Sequence, residues 1–347
     1  MLDPNLQALL DSKDEANLSL GLALVASQGL QMAFEQHYGV PFQEFSQLTD
    51  FLKQHNAWDY ATPVQYLVKL SLTQKNLRDL PAEIALLANL HQLRLDANQF
   101  SHFPESVLRL SNLRELFLFD NHLSEIPEGI QALEKLHLLS LSKNKFFLFP
   151  ESLLALPNLR ELYLAHNRLT TLPIEIDRLQ DLQMISLAGN HLTQFPAALL
   201  ALPRLQYLGL GSNWLDNIPD AIAQWQALEE LSLANNRLTQ LPESLGYLPT
   251  LKELDLSNNL LTRLPESLGS LVNLQRLDLS HNQLTHLPES MAACDDLAYL
   301  YVHHNPLESL PLSFKNLETC AIFIGENPTD TLRHYVKDWN NILFKTH

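Results

Sequence analysis

Asp278, His281, His303 and His304 fall near the end of the chain and carry the side-chain types that bind transition metals. Bound metal needs three or four converging ligands supported by further hydrogen bonds. The chain has 14 histidines scattered along its length, and His166, His281 and His304 share one exposed turn position just before an asparagine. No metal site and no cofactor are therefore expected. Gly209-Leu-Gly211-Ser has the look of a phosphate-binding loop, but it lacks the lysine and the long following helix, and both glycines fall on outward strand positions. Cys294 stands where the preceding unit has Leu271, so it reads as a buried apolar residue and not as a nucleophile. Cys320 lies where the last unit loses register, also near the core. Neither G-x-S-x-G nor H-E-x-x-H occurs. No catalytic residues are expected.

What must position any site is a unit of 23 residues that recurs without a slip. Read from Leu264 it is LPESLGSLVNLQRLDLSHNQLTH, and the next unit starts at Leu287-Pro288. Prolines from Pro81 to Pro311 and asparagines from Asn98 to Asn305 hold that same interval of 23. Such self-similarity marks a solenoid, in which stacked units share one continuous core. Each unit has three expected parts. A short L-x-L strand turns its leucines inward and its alternate residues outward. An asparagine then bonds buried backbone groups at the turn. A Leu-Pro pair opens a return leg built as a brief helix or 3₁₀ turn, where proline's fixed φ suits the start of a helical turn. Parallel strands stack about 4.8 Å apart, so eleven or twelve give an inner sheet roughly 50 Å long. The bulkier return legs are expected to curve it into a horseshoe.

The chain carries 39 acidic and 23 basic side chains, a formal charge of −16. Nucleic acid and anionic membrane surfaces recruit Lys and Arg, so neither is an expected partner. With two cysteines, a disulfide-rich cap is impossible and a reducing compartment is the simpler reading. The N-terminal MLDPNLQALLDSKDE lacks the basic and apolar parts of a secretory signal. The apolar run from Leu18 to Ala26 falls short of the ~20 residues of a membrane span.

Residues 1–62 lack the repeat and read as helical. Ser12-Lys-Asp-Glu15 has capping-box spacing for a helix running to Gly29. A short helix is expected over Met32 to Tyr38, and an amphipathic one from Phe42 to about Asn56 through Phe45, Leu48, Phe51 and Leu52. This segment is either a cap over the first repeat or a separate interaction module. Residues 63–328 form the solenoid, starting irregularly with Lys75 in the asparagine position and ending with a degenerate unit at Asn327. Residues 329–347 read as a C-terminal helical cap, with Thr329 at its start and Leu332, Tyr335, Val336, Trp339 and Leu343 on one face.

Residues 66–328, about three quarters of the chain, resemble the cytosolic leucine-rich repeats of the LPxxLxxLxxLxxLxLxxNxL class, found in Ras-group scaffolds and their bacterial relatives. The resemblance implies an α/β leucine-rich-repeat solenoid and a non-catalytic protein-binding scaffold. Some bacterial effectors add a ubiquitin-ligase domain with a catalytic cysteine, but fewer than 25 residues follow Asn327 here. The expected location is the cytoplasm, with delivery into a host cell as an effector the alternative.

Outward strand positions are free of the core's constraints, so they carry the individual chemistry. Aromatics gather early (Phe117, Phe119, Tyr163), small residues fill the middle from Ser186 to Ala234 with Tyr207 and Trp214 at its border, and Asp255, Asp278, Tyr301 and His303 close the series. The expectation is a protein or peptide partner with basic patches lying across the concave sheet of a monomer. Phe117, Phe119 and Tyr163 would anchor it, and Glu230, Glu253, Asp255 and Asp278 would meet its cations. The alternative is an effector or regulatory subunit that recruits an enzyme and docks a second time through its N-terminal helices.

Overall fold

The structure is a computed structural model that describes residues 2–58, 64–317, 319–325 and 328–344, leaving aside the side chains of residues 65 and 316. The expected boundary at residue 62 and the degenerate asparagine at 327 lie outside the described residues. The chain forms two compact units, Met1–Lys145 and Phe146–His347.

The first unit opens with helices α1 (Pro4–Leu10), α2 (Glu15–Ser27), α3 (Gln31–Tyr38) and α4 (Phe42–Gln54). The sequence reading lacks α1, which is too short to show periodicity but has Asp3 accepting from Asn5 N (2.8 Å) and a proline at its first position. Asp14, and not Ser12, caps α2 by accepting from Asn17 N (3.0 Å). Helix α4 buries Phe45, Leu48 and Leu52 and packs on the turn Ala82–Leu86 of the first repeat. Strands β1 (Lys69–Ser71), β2 (Gln92–Arg94), β3 (Glu115–Phe117) and β4 (Leu138–Ser140) follow, parallel and in chain order.

The second unit carries β5 (Glu161–Tyr163), β6 (Met184–Ser186), β7 (Tyr207–Gly209), β8 (Glu230–Ser232), β9 (Glu253–Asp255), β10 (Arg276–Asp278), β11 (Tyr299–Tyr301) and β12 (Ala321–Phe323), again parallel and in order. Register repeats every 23 residues through β11, so Leu277 sits between Leu254 and Leu300. Both units thus have the α/β leucine-rich-repeat solenoid architecture. Every return leg is a 3₁₀ turn such as Glu266–Ser270, and its proline stands one residue before the turn, where its carbonyl accepts from the third residue on. The inward apolar side chains of each strand, one apolar residue of each turn and the residue that closes the turn make the core, nearly all of them inaccessible. Trp225 takes one of these positions and its indole N–H donates to Leu199 O (3.2 Å).

Asparagines close each repeat as expected. Asn259 Oδ1 accepts from Leu238 N (3.0 Å) while Nδ2 donates to Leu233 O and Leu256 O (3.0 Å each). The residue before each asparagine is held in the left-handed region, φ 53–56° at Ala97, Asp120, Lys143, His166, Ser212, Asn235, Asn258, His281 and His304, and at Gly189 (φ 66°). Gly189 apart, Asp120, Asn235, Asn258 and the three histidines are of the types that adopt this conformation most readily.

The C-terminus differs from the expectation of one helical face. Helix α5 (Asp330–Tyr335), capped by Thr329 accepting from Leu332 N (3.1 Å), ends early, and Leu343 belongs to β13 (Ile342–Leu343). That strand pairs in parallel with β12, and Asn341 Nδ2 donates to Phe314 O and Leu317 O. The chain thereby covers its own last strand edge, which would otherwise stand open to pairing. Among the described residues no helix is long and apolar enough to cross a membrane.

Candidate functional site

In the second unit, the outward residues of β7 to β11 form an acid–tyrosine surface. Tyr207, Glu230, Ser232, Glu253, Asp255 and Arg276 line a shallow pocket of about 160 Å³. The register forces this convergence, because Glu230, Glu253 and Arg276 stand directly opposite one another on β8, β9 and β10. Burial and then the charges of Glu253 and Glu229 push the Glu230 carboxyl above its usual pKa, against a smaller opposing effect of Lys252. The Tyr207 phenol is raised as well, by burial and then by Glu230 and Asp255. Its ring crosses Gly209, where a Cβ would come within 3.0 Å of the hydroxyl. The small residue at 209 therefore makes room for Tyr207, and Gly209-Leu-Gly211 is ordinary strand and loop.

Asp255 and Asp278 are held alike. Each accepts at Oδ1 from the backbone N and Oγ of the serine two residues on, Ser257 (3.0 and 2.7 Å) and Ser280 (2.9 and 2.6 Å). Tyr163 donates to Glu161 Oε2 (3.0 Å), and burial together with that bond pushes its phenol up to about 12. Trp214 is not on a strand but in the turn after Asn213, 44 % exposed, stacked on His191 (centroids 4.9 Å, 3° apart).

Two residues expected on the open face are covered. Tyr301 is 7 % exposed because Phe323 stacks on it at 4.4 Å and the Arg276 guanidinium lies over it at 4.6 Å. His303 is 5 % exposed. The covering strand β12 lies in the degenerate last unit, one residue short of the repeat interval, and the pattern of columns did not show Phe323 stacking on Tyr301.

In the first unit, Phe117 and Phe119 are half-buried and each lies under a cation: Arg94 is 4.6 Å from the Phe117 centroid and Lys143 is 5.0 Å from that of Phe119. Arg94 also bridges to Asp96 (2.9 Å), whose other oxygen accepts from Phe119 N (3.1 Å). Sequence reasoning found the two rings and not their partners: the register sets Arg94 opposite Phe117, but only the side-chain rotamers lay a cation over each ring.

The histidines do converge. His281 and His304 stack (4.1 Å, 10°), and His303 meets both edge-on, with its Nδ1 2.8 Å from that of His304. Burial, then the neighbouring His304, lowers the His281 pKa, while Asp278 opposes. Cys294 and Cys320 are free and buried, which pushes their thiols up to about 11 and about 12. At those values both stay protonated and unreactive.

Family models for a leucine rich repeat match residues 249–307, for a leucine-rich repeat region residues 150–258, and for a single leucine rich repeat residues 112–133. Among curated proteins there is no significant match. Among solved structures, an LRR protein of Leptospira interrogans is 32% identical over 71% of this chain and 75% of its own, with a TM-score of 0.49. The Arabidopsis receptor kinase HAESA, in complex with the peptide hormone IDA and the co-receptor SERK1, is 29% identical over 75% of this chain and 46% of its own, with a TM-score of 0.64. This chain thus spans about half the length of that receptor chain. An internalin of Listeria monocytogenes has the same fold at 20% identity, covering 81% of this chain and 87% of its own with a TM-score of 0.64. With the L-x-L strands, the asparagine closures and the sequence matches in agreement, the chain belongs to the leucine-rich repeat proteins.

Proposed function

We propose that this protein is a non-catalytic interaction scaffold of the cytoplasm, binding a basic protein or peptide on the exposed sheet face of its second unit. The observation that carries this reading is the acid–tyrosine surface around Tyr207, Glu230, Glu253 and Asp255, where negative charge is gathered faster than the protein neutralises it. A ligand cation placed there offsets the charges of Glu253 and Glu229, which after burial raise the Glu230 pKa, and tyrosine and arginine are among the side chains that dominate binding hot spots. The buried, protonated cysteines and the shallow pocket favour binding over catalysis. A peptide hormone is bound to the receptor kinase HAESA, a relative in sequence and fold, which supports a peptide as ligand. The packing of α4 on the first repeat supports the N-terminal helices as a cap.

The test is selection of a random peptide library on the immobilised full chain. Enrichment of Lys- and Arg-containing peptides, with affinity falling as salt rises, is the expected result. A selection without basic enrichment, or one yielding acidic peptides, contradicts the reading.

A further inference from the structure

The three histidines at the turns after β10 and β11 are not needed by the proposed interaction face, and their arrangement has a separate chemistry. His281 and His304 occupy the same position of successive repeats, each fixed in a left-handed backbone (φ 55°) by the turn that the following asparagine closes. His281 N donates to His303 O (3.0 Å), tying the two turns together. The backbone thus sets the spacing of the rings before any ligand arrives. One ligand nitrogen from each of His281, His303 and His304 lies within 4.8 Å of the others.

We infer that His281, His303 and His304 form a binding site for one divalent transition-metal ion. Zinc–nitrogen bonds of about 2.0–2.1 Å at tetrahedral angles set nitrogens about 3.3 Å apart. With one nitrogen of each ring within 4.8 Å of the others, ring rotation can bring the three to that geometry, the His303–His304 hydrogen bond giving way to the metal. Three imidazoles with no thiolate select Zn²⁺, Ni²⁺ or Cu²⁺ and reject Mg²⁺ and Ca²⁺, which require oxygen ligands. Asp278, whose charge acts on His281, adds a favourable field for a cation. His303 is buried and anchors the group, whereas His281 and His304 are exposed and leave the fourth position of a tetrahedral ion to solvent. The arrangement is that of an open three-histidine site. Repeat position places the three histidines in adjacent repeats, where they could converge, but the ring orientations that bring the nitrogens together are not written in the spacing.

The experiment uses the untagged full chain, stripped with a chelator, titrated with Zn²⁺ and Ni²⁺ by calorimetry and with Co²⁺ by visible absorption, with Mg²⁺ as control. One saturable equivalent of Zn²⁺, a tetrahedral Co²⁺ spectrum and a rise in Tm with Zn²⁺ are expected. His281→Gln and His304→Gln alter exposed side chains, and each is expected to weaken Zn²⁺ by more than about tenfold with the chelated Tm unchanged. His166→Gln, at the same repeat position outside the cluster, is expected to bind as the wild type does. Absence of stoichiometric binding overturns the inference. So does equal binding by the His281→Gln/His304→Gln double variant, which would mean adventitious coordination by other surface histidines.

Discussion

The two units use one repeat to present opposite surfaces. In Met1–Lys145 the outward aromatics are neutralised from within, Phe117 under Arg94 and Phe119 under Lys143. In Phe146–His347 the outward tyrosines stand among carboxylates, Tyr163 on Glu161 and Tyr207 beside Glu230 and Asp255. The inward leucines and closing asparagines are the same in both, so the difference resides in residues that contribute little to folding. A solenoid separates the two tasks by alternation along a three-residue strand: the inward side chain stabilises and its neighbours are free to recognise. On the proposal above, the surface with the surplus of carboxylates is the one that meets a ligand.

The largest effects should separate the units through their turns. A Cβ on Gly246 would lie 2.1 Å from Ser267 O, a backbone atom of the next turn, whereas one on Gly129 would meet only the mobile Leu108 Cδ1 at 2.9 Å. Gly246→Ala should cost about 3 kcal/mol of stability in urea unfolding, because the backbone must move. Gly129→Ala should stay within about 1 kcal/mol of wild type. Equal losses would mean that the closer turn packing of the second unit is not a source of its stability.

The asparagines should erase the difference. Asn121→Ala and Asn259→Ala each orphan one buried N–H and take one of two asparagine donors from two buried carbonyls, so each should cost about 1–3 kcal/mol. A large disparity between them would show that the shared framework is not equivalent in the two units. Smaller still, Lys143→Gln should cost about 0.5 kcal/mol by uncovering Phe119, an exposed cation–π pair.

The smallest effect has the opposite sign. The Glu230 pKa is raised in the folded state, so ionised Glu230 destabilises the fold above its unfolded pKa, and the cost disappears as pH falls through the folded value. Glu230→Gln should therefore raise Tm slightly at pH 7 and leave it unchanged at acidic pH, the gain being modest because the group is exposed to solvent. A lower Tm at pH 7 would show that Glu230 is paired and not repelled.

Most of this framework could be read from spacing. The interval of 23 residues locates every strand from β1 to β11, because Leu at alternate positions and Asn four after the strand's second outward residue admit one register. What spacing could not supply falls into three kinds. Helix α1 is too short for periodicity, and its signal lies only in Asp3-Pro4. The burial of Tyr301 comes from Arg276 and from Phe323 on β12, a strand one residue short of the repeat interval. The cation partners of Phe117 and Phe119, and the convergence of His281 with His303 and His304, depend on side-chain rotamers, which a pattern of columns leaves open. The candidate surface was thus legible as a set of positions, and its charge balance only as geometry.

The decisive measurement is the affinity of a library-selected basic peptide for two variants of the full chain. Glu230→Gln/Glu253→Gln/Asp255→Asn removes the unpaired charge of the second unit, and Phe117→Ser/Phe119→Ser removes the rings of the first. A loss of more than about tenfold in the former with no change in the latter is expected, tenfold being about 1.4 kcal/mol. Undiminished affinity in the charge variant, or loss confined to the phenylalanine variant, would contradict recognition by the acid–tyrosine face.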